Sequence, residues 1–191
     1  MTAGLILAAG ESRRMGFPKA LLDYRGATFL DTLTGLFAER CSPVIVVLGA
    51  AAGEIRASAA QRAEFVLNAD YARGQITSMQ CGLRAVPPEA EGVLFTLVDH
   101  PAVAPATLDA LLAARGSDLL RVPRYRGRRG HPVWFSCGLI PEFLALPENG
   151  AARDVVRRHA AETAFLDLED AGIAADIDDP AAYQSLIGAI P

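Results

Sequence analysis

Residues 10–19, Gly-Glu-Ser-Arg-Arg-Met-Gly-Phe-Pro-Lys, gather side chains suited to holding an anion: Arg13, Arg14 and Lys19, spaced by Gly10 and Gly16. Lys19 is the only lysine in a chain whose lysines and arginines together number 18. Glycines let backbone N–H groups face a bound anion, and the basic side chains supply charge. Lysine is a compact charge on a flexible stem, whereas arginine is a rigid planar fork. A phosphate oxygen deep in a crowded loop suits the lysine. Two common phosphate motifs do not fit. A Walker loop needs G-x4-G-K-[ST], but Gly16 is followed by Phe17-Pro18-Lys19. The dinucleotide fingerprint G-x-G-x-x-G fails because no glycine stands two places after Gly10.

Carboxylates that could accompany such a loop occur twice. Asp99 ends the apolar run 92–98, so it belongs at the carboxyl end of a strand, where open α/β sheets bind ligands. Mg²⁺ takes one or two carboxylates together with phosphate oxygens and water, so Asp99 is a metal candidate. Asp176, Asp178 and Asp179 cluster before Pro180. One of them can cap the last helix, and Asp179 is the better cap. Between these groups, Arg121, Arg124, Arg126, Arg128 and Arg129 crowd into RVPRYRGRR, just before His131. Strand alternation would put Arg124, Arg126 and Arg128 on one face, as an anion patch or as a solvated face.

The elements that must position these groups alternate. Strand-like runs occupy 4–9, 43–49, 63–68 and 92–99, and helix-like runs occupy 28–40, 51–61, 75–86 and 106–115. The strands are uniformly apolar, as expected when both sheet faces are covered. This rhythm implies an α/β fold with a doubly wound, mostly parallel, Rossmann-like sheet. Residues 118–136 break the rhythm and read as a small hairpin-like insertion at the sheet edge. Helices over 138–146 and 150–161, a strand over 163–169 and a helix over 180–190 complete one domain of 191 residues. Asn149 would cap the helix at 150.

Composition narrows the function classes. Hydrophobic residues make up 51%, enough for a sizeable core without a disulfide or metal staple. A formal net charge of −4 argues against general nucleic-acid binding. Cys41, Cys81 and Cys137 form an odd set without CxxC, which fits a reducing cytoplasm. The start MTAGLILAAG lacks the basic leader of a signal peptide, and no run reaches the length of a membrane span.

The motif L-A-A-G-x-S-x-R-M-G-x-P-K resembles the N-terminal signature of the MobA-like nucleotidyltransferases, molybdenum cofactor cytidylyltransferases above all. NADYARGQITSMQCGL (68–83), LVDHP (97–101), GHPVWF (130–135) and DIDDPAAY (176–183) resemble later family segments in order. The resemblance implies transfer of CMP from CTP to a phosphorylated pterin-type acceptor, with Mg²⁺ (or Mn²⁺) and release of pyrophosphate. It implies that Leu7, Ala8, Ala9 and Gly10 meet base and ribose, and that Arg14 and Lys19 hold the triphosphate. It places Asn68 and Ser78 beside the nucleotide; Ser78, Gly82 and His131 toward the acceptor; and Asp99 and Asp178 on the metal. Lys19, Arg14 and Asp99 then form the catalytic set. Gly150 and Arg153 resemble a segment near the acceptor pocket. The match departs from the family where Asp179 replaces Thr and where Ala181 and Ala182 replace an acidic pair. Transfer from GTP, sugar-phosphate nucleotidyl transfer and a cofactor-carrying maturation chaperone for a molybdoenzyme are the alternatives.

Overall fold

In a computed structural model, the structure is described at residues 1–59, 63–114, 116 and 118–188. The ends of the helices expected at 51–61, 106–115 and 180–190 lie outside the described residues. The strands are β1 (Thr2–Ala8), β2 (Asp23–Tyr24), β3 (Ala27–Thr28), β4 (Val44–Leu48), β5 (Glu64–Leu67), β6 (Gly92–Leu97), β7 (Leu120–Tyr125), β8 (Arg128–Arg129), β9 (Val133–Ser136) and β10 (Thr163–Asp167). The helices are α1 (Phe29–Ala38), α2 (Ala52–Ser58), α3 (Gln75–Leu83), α4 (Pro105–Ala113), α5 (Ile140–Leu144), α6 (Ala152–Arg158) and α7 (Pro180–Gly188). No described helix is long and apolar enough to cross a membrane.

The main sheet runs β10-β7-β9-β6-β1-β4-β5, with β8 paired to β7. β1 pairs in parallel with both β4 and β6, and β4 with β5. From β1 the chain builds outward through β4 to β5, then returns to place β6 on the other side of β1. That reversal opens a crevice between the carboxyl ends of β1 and β6, the position where doubly wound sheets bind ligands. Period-two alternation explains the uniformly apolar strands. Leu5 and Leu7 pack with α3, α5 and α6 on one face, while Ile6 and Ala8 pack with α1, α2, α4 and α7 on the other. Each fully buried Leu, Ile or Phe contributes about 1.5–3 kcal/mol, so a strand buried on both faces anchors the loop that follows it.

The segment 118–136 is not an insertion at the sheet edge. β7 and β8 do form a hairpin, turning through Arg126 and Gly127. The chain then re-enters the sheet as β9, which pairs antiparallel with β6 on one side and β7 on the other. The outer position falls to β10, parallel to β7. Phe135 and Trp134 account for this placement. They face opposite sides of β9 and are both buried, so β9 needs cover on both faces, which an edge hairpin lacks.

The loop 168–179 brings distant segments under the crevice. His131 N donates to Ile173 O at 2.9 Å, and Ile177 N donates to Asp99 O at 3.0 Å. Gly172 packs against the backbone of Ala102: a Cβ there would lie 2.1 Å from the Ala102 carbonyl oxygen. Gly172→Ala must therefore push the loop away from residue 102. We expect a loss of about 1–3 kcal/mol in urea unfolding, the usual range for overpacking. Unchanged stability would show that the loop is not pinned there.

Candidate active site

The crevice between β1 and β6 is a cleft of about 300 Å³. Leu7, Ala8, Ala9 and Gly10 form one wall, Arg14 and Lys19 reach over it, Ser78 lies on the α3 side, and Asp99 and Asp178 close the other end. The loop after β1 is folded on itself. Ser12 O accepts from the backbone N–H groups of Met15 and Gly16, both at 3.0 Å, and Ser12 Oγ accepts from Lys19 N at 3.1 Å. This brings Lys19 back over the end of its own strand at the start of a single 3₁₀ turn, Lys19–Leu21.

The two carboxylates meet at one nitrogen. Lys19 Nζ donates to Asp178 Oδ1 at 2.6 Å and to Asp99 Oδ2 at 3.2 Å. Arg14 Nη2 donates to Asp178 Oδ2 at 2.8 Å. The remaining oxygen of Asp99, Oδ1, lies 2.9 Å from His100 Nδ1. An ionised carboxylate only accepts, so Nδ1 carries the proton in that pair. The side chains of Lys19 and Asp99 are only 12% and 16% exposed, where charge interactions are weakly screened. Burial pushes the Asp99 carboxyl up, but the hydrogen bond and charge of His100, and then Lys19, outweigh it and hold it below the usual range. Asp178 is held low by its hydrogen bond from Lys19 and, against some desolvation, by Arg14. Both are anions at neutral pH.

Residues 99 and 178 thus offer a divalent cation two carboxylates on one side of the cleft. Among the described residues no group of three or more His, Cys, Asp or Glu is placed to hold a metal ion. A pair of carboxylates opposite basic side chains fits Mg²⁺ or Mn²⁺, which complete their shells with phosphate oxygens and water. It does not fit an all-protein zinc cage.

A second, larger cavity of about 550 Å³ adjoins the first through Gln75 and Leu97, which line both. Ile76, Met79, Phe95, Phe135 and Phe143 make its floor apolar, and Arg73, Glu148, Asn149, Gly150 and Arg153 make its rim polar. His131 belongs to its wall. The imidazole packs edge-on against Phe95 (5.5 Å between centroids) and His100 (4.9 Å). Burial, then the charge of His100, lower its pKa to about 4, against partial compensation from the Phe95 backbone and Asp99. His131 is therefore a neutral imidazole at physiological pH, suited to hydrogen bonding and packing but not to donating a proton as an acid.

Two expected contacts fall elsewhere. Asn68 lines neither cavity. Its Nδ2 donates to Ser78 Oγ at 2.9 Å and Thr77 Oγ1 at 3.0 Å, and its Oδ1 accepts from Asp70 N at 3.0 Å. Its amide thus holds Ser78, which lines the cleft. Gly82 lies against the sheet, where a Cβ would meet Leu5 Cδ1 at 2.4 Å and Val47 Cγ2 at 2.7 Å. Close helix–sheet packing accounts for that glycine.

The arginine cluster divides. Arg121 is buried, stacks on Trp134 at 4.0 Å and donates to Leu111 O at 2.9 Å. Arg124 pairs with Asp167 through Nε and Nη2 at 2.9 and 2.7 Å. The turn at 126–127 breaks the alternation that would have aligned 124, 126 and 128, and Arg124 instead lies opposite Arg129. Asp179 is the helix cap, its Oδ1 accepting from Ala182 N at 2.8 Å. Asn149 is not: α6 begins at Ala152, and Asp154 Oδ2 accepts from Ala151 N at 3.2 Å.

Two supporting residues carry no motif that sequence reasoning could read. Asp170 is buried and accepts from Thr107 Oγ1 at 2.6 Å, Ala104 N at 2.9 Å and Gly172 N at 2.9 Å. It ties the start of α4 to the loop that carries Asp178. His100, between Asp99 and Pro101, fixes the Asp99 carboxylate from behind. Its only sequence signal was its place inside LVDHP.

A doubly wound sheet with basic groups and paired carboxylates at its switch point defines a protein that handles nucleoside phosphates. The chain belongs to the MobA-like NTP transferase domain family, whose model matches residues 4–163. It is 31% identical over 186 residues to nicotine blue oxidoreductase of Paenarthrobacter nicotinovorans, covering 92% of this chain and 91% of the relative. It is 28% identical over 178 residues to the molybdenum cofactor cytidylyltransferase of Escherichia coli K12, covering 92% and 90%. A shorter match, 37% over 115 residues and 58% and 55% of the two chains, is to a probable molybdenum cofactor guanylyltransferase of Mycobacterium avium. Among solved structures, Rv0371c of Mycobacterium tuberculosis H37Rv superposes with a TM-score of 0.87 at 31% identity, over 98% of both chains, and a further structure of that protein is a complex with manganese. The fold is that of the nucleotide-diphospho-sugar transferases.

The depressed pKa of His131 has a consequence for stability. In the unfolded chain a histidine titrates near 6.5; in the fold this one titrates near 4. As pH falls the unfolded chain takes up the proton first, so this contribution is complete above about pH 6.5 and is lost progressively toward pH 4. In urea unfolding at pH 7 and pH 5, wild type should lose about 1–2 kcal/mol more than His131→Gln. Equal losses would mean that His131 is not held neutral by the fold.

Proposed function

We propose that this chain transfers CMP from CTP to the terminal phosphate of a molybdopterin-type acceptor, releasing pyrophosphate. The observation that carries this reading is the adjacency of the two cavities. A small polar cleft with cations and carboxylates adjoins, along Gln75 and Leu97, a larger apolar cavity with a polar rim. The first suits a nucleoside triphosphate and the second a flat heterocyclic acceptor, and their junction is where an acceptor phosphate can meet the α-phosphorus.

In the proposed step an acceptor phosphate oxygen forms a bond to the α-phosphorus as the bond to the bridging oxygen of pyrophosphate breaks. No proton need be removed, because the attacking phosphate is already ionised at neutral pH. The protein's work is then alignment and neutralisation of charge. Backbone groups of Leu7–Gly10 would hold base and ribose. Lys19 and Arg14 would carry the negative charge that accumulates on the leaving pyrophosphate. Ser78, held by Asn68, has a hydroxyl hydrogen free for a ligand oxygen. Arg153 and His131 line the acceptor cavity, where a neutral imidazole serves recognition. Asp99 and Asp178 would hold Mg²⁺ or Mn²⁺, which supplies Lewis-acid stabilisation of phosphate charge when bound.

The choice of CTP over GTP rests on two supports. The cytidylyltransferase similarity runs along nearly the whole chain, while the guanylyltransferase similarity spans little more than half. The loop also reads Leu-Ala-Ala-Gly, where the guanylyl enzymes more often carry Leu-Ala-Gly-Gly. Pyrophosphate release with each nucleotide, Mg²⁺ and molybdopterin tests it: CTP should be preferred, and a strong preference for GTP would move the assignment to the guanylyl branch. Lys19→Ala and Asp99→Ala should each lower turnover about a hundredfold or more, the scale of a lost charge-stabilising group. Turnover unchanged in both would favour a cofactor-carrying chaperone that has kept the fold. The oxidoreductase name borne by one relative gives a redox reading its own check. Saturable, specific binding of NAD(P)H or flavin in the β1–β6 cleft would favour that reading.

A further inference from the structure

The contacts of Lys19 and Arg14 raise a question that the transfer reaction does not answer. Both groups are assigned to phosphate, yet both rest on carboxylate. All four oxygens of the carboxylate pair are engaged: Asp178 Oδ1 by Lys19 and Oδ2 by Arg14, and Asp99 Oδ2 by Lys19 and Oδ1 by His100. A divalent cation arriving alone would meet the Lys19 ammonium already seated between both carboxylates, and to sit between them it would take that ammonium's place. The displaced group is only 12% exposed, and the cleft wall beside it is built from Leu7, Ala8, Ala9, Ala20 and Ile55. Among the described residues no third carboxylate lines that cleft to receive the ammonium. An ammonium stranded in such a place carries a desolvation cost with nothing to offset it.

A nucleoside triphosphate changes the balance. Its phosphate oxygens can receive Lys19 and Arg14 at the moment the carboxylates give them up, and the carboxylates can then take the metal. Every ion keeps a partner of opposite sign throughout. We propose that Lys19 is the resident counter-ion of the Asp99–Asp178 pair and excludes divalent metal from the site until a triphosphate arrives, so that metal enters with nucleotide and not before it. The role suits lysine over arginine, because one compact ammonium on a flexible stem can change partners without undoing a bidentate fork. Arg14 has the second share of the exchange. It is far more exposed, at 69%, and among the described residues its ion pair is with Asp178 and not with Asp99, so it is the weaker barrier.

This inference rests on the reading of Asp99 and Asp178 as metal ligands, and the test separates the two. Mn²⁺ binding is measured by water-proton relaxation, which distinguishes protein-bound from free ion. Wild type, Lys19→Met and Lys19→Met/Asp178→Asn are compared without nucleotide, and wild type is measured again with CTP. Wild type alone should bind Mn²⁺ weakly, and CTP should bring it in. Lys19→Met alone should bind Mn²⁺ about tenfold more tightly or better than wild type alone, as expected for removing a cation in contact with both ligands. The double variant should lose that gain. Lys19→Gln repeats the comparison should the Met variant not fold. If wild type takes up Mn²⁺ with CTP but the Lys19 variants without nucleotide bind no better than wild type, the exclusion role is overturned while the metal reading stands. Tight binding by wild type without nucleotide overturns it equally. If neither the variants nor the CTP complex holds Mn²⁺, the metal reading falls and the exclusion role with it.

Discussion

One ammonium group between two carboxylates organises the functional end of this molecule. Lys19 comes from the first loop, Asp99 from the end of β6 and Asp178 from the last loop before α7, so the three are separated by up to 159 residues. Each lies where the fold has little freedom to move it. Lys19 follows a loop closed on Ser12, Asp99 is fixed by His100, and the strand of chain before Asp178 is tied to Asp99 O through Ile177 N. Like charges at 99 and 178 would repel across a half-buried cleft without a cation between them. The position is thus one that always demands positive charge, from a side chain or from a ligand.

The core explains why that demand can be met without distortion. β1 is buried on both faces, with Ile6 and Ala8 against one helical layer and Leu5 and Leu7 against the other. Such a strand moves little, so the backbone of Leu7–Gly10 offers a rigid wall. On the far side, β9 sits inside the sheet between β6 and β7 and presents Val133 and Phe135 to the second cavity, with His131 just before it. An edge hairpin would have left that cavity open on one side. Trp134 and Phe135, on opposite faces of β9, fix it at that position, and Phe135 forms part of the floor of the second cavity.

What the sequence made legible follows from what is local. The apolar strands, the loop glycines and the lone lysine are written in consecutive residues, and the crevice between β1 and β6 follows from the alternation of strands and helices. The end of β6 at a carboxylate could likewise be read directly. The order of strands on the far side could not, because β9 is short and its pairing with two neighbours depends on burial of Trp134 and Phe135, which a hairpin pattern also permits. Asn68 and Gly82 show the same limit from another side. Each stands at a motif position, but one spends its amide on Ser78 and Thr77 and the other its missing side chain on Leu5 and Val47. A motif marks positions that matter and does not say whether they act on a ligand or on its neighbours.

Asp170 carries that distinction furthest. A buried carboxylate with three donors, two from backbone N–H groups and one from the Thr107 hydroxyl, is stable only because every donor is present. Those donors come from the start of α4 and from the loop before Asp178. The residue therefore joins the helix that follows Asp99 to the segment that supplies the second carboxylate, without lining the cleft. Sequence departures in DIDDPAAY fit the same logic. Asp178 lines the cleft, Asp179 caps α7, and Ala182 is partly buried against the core.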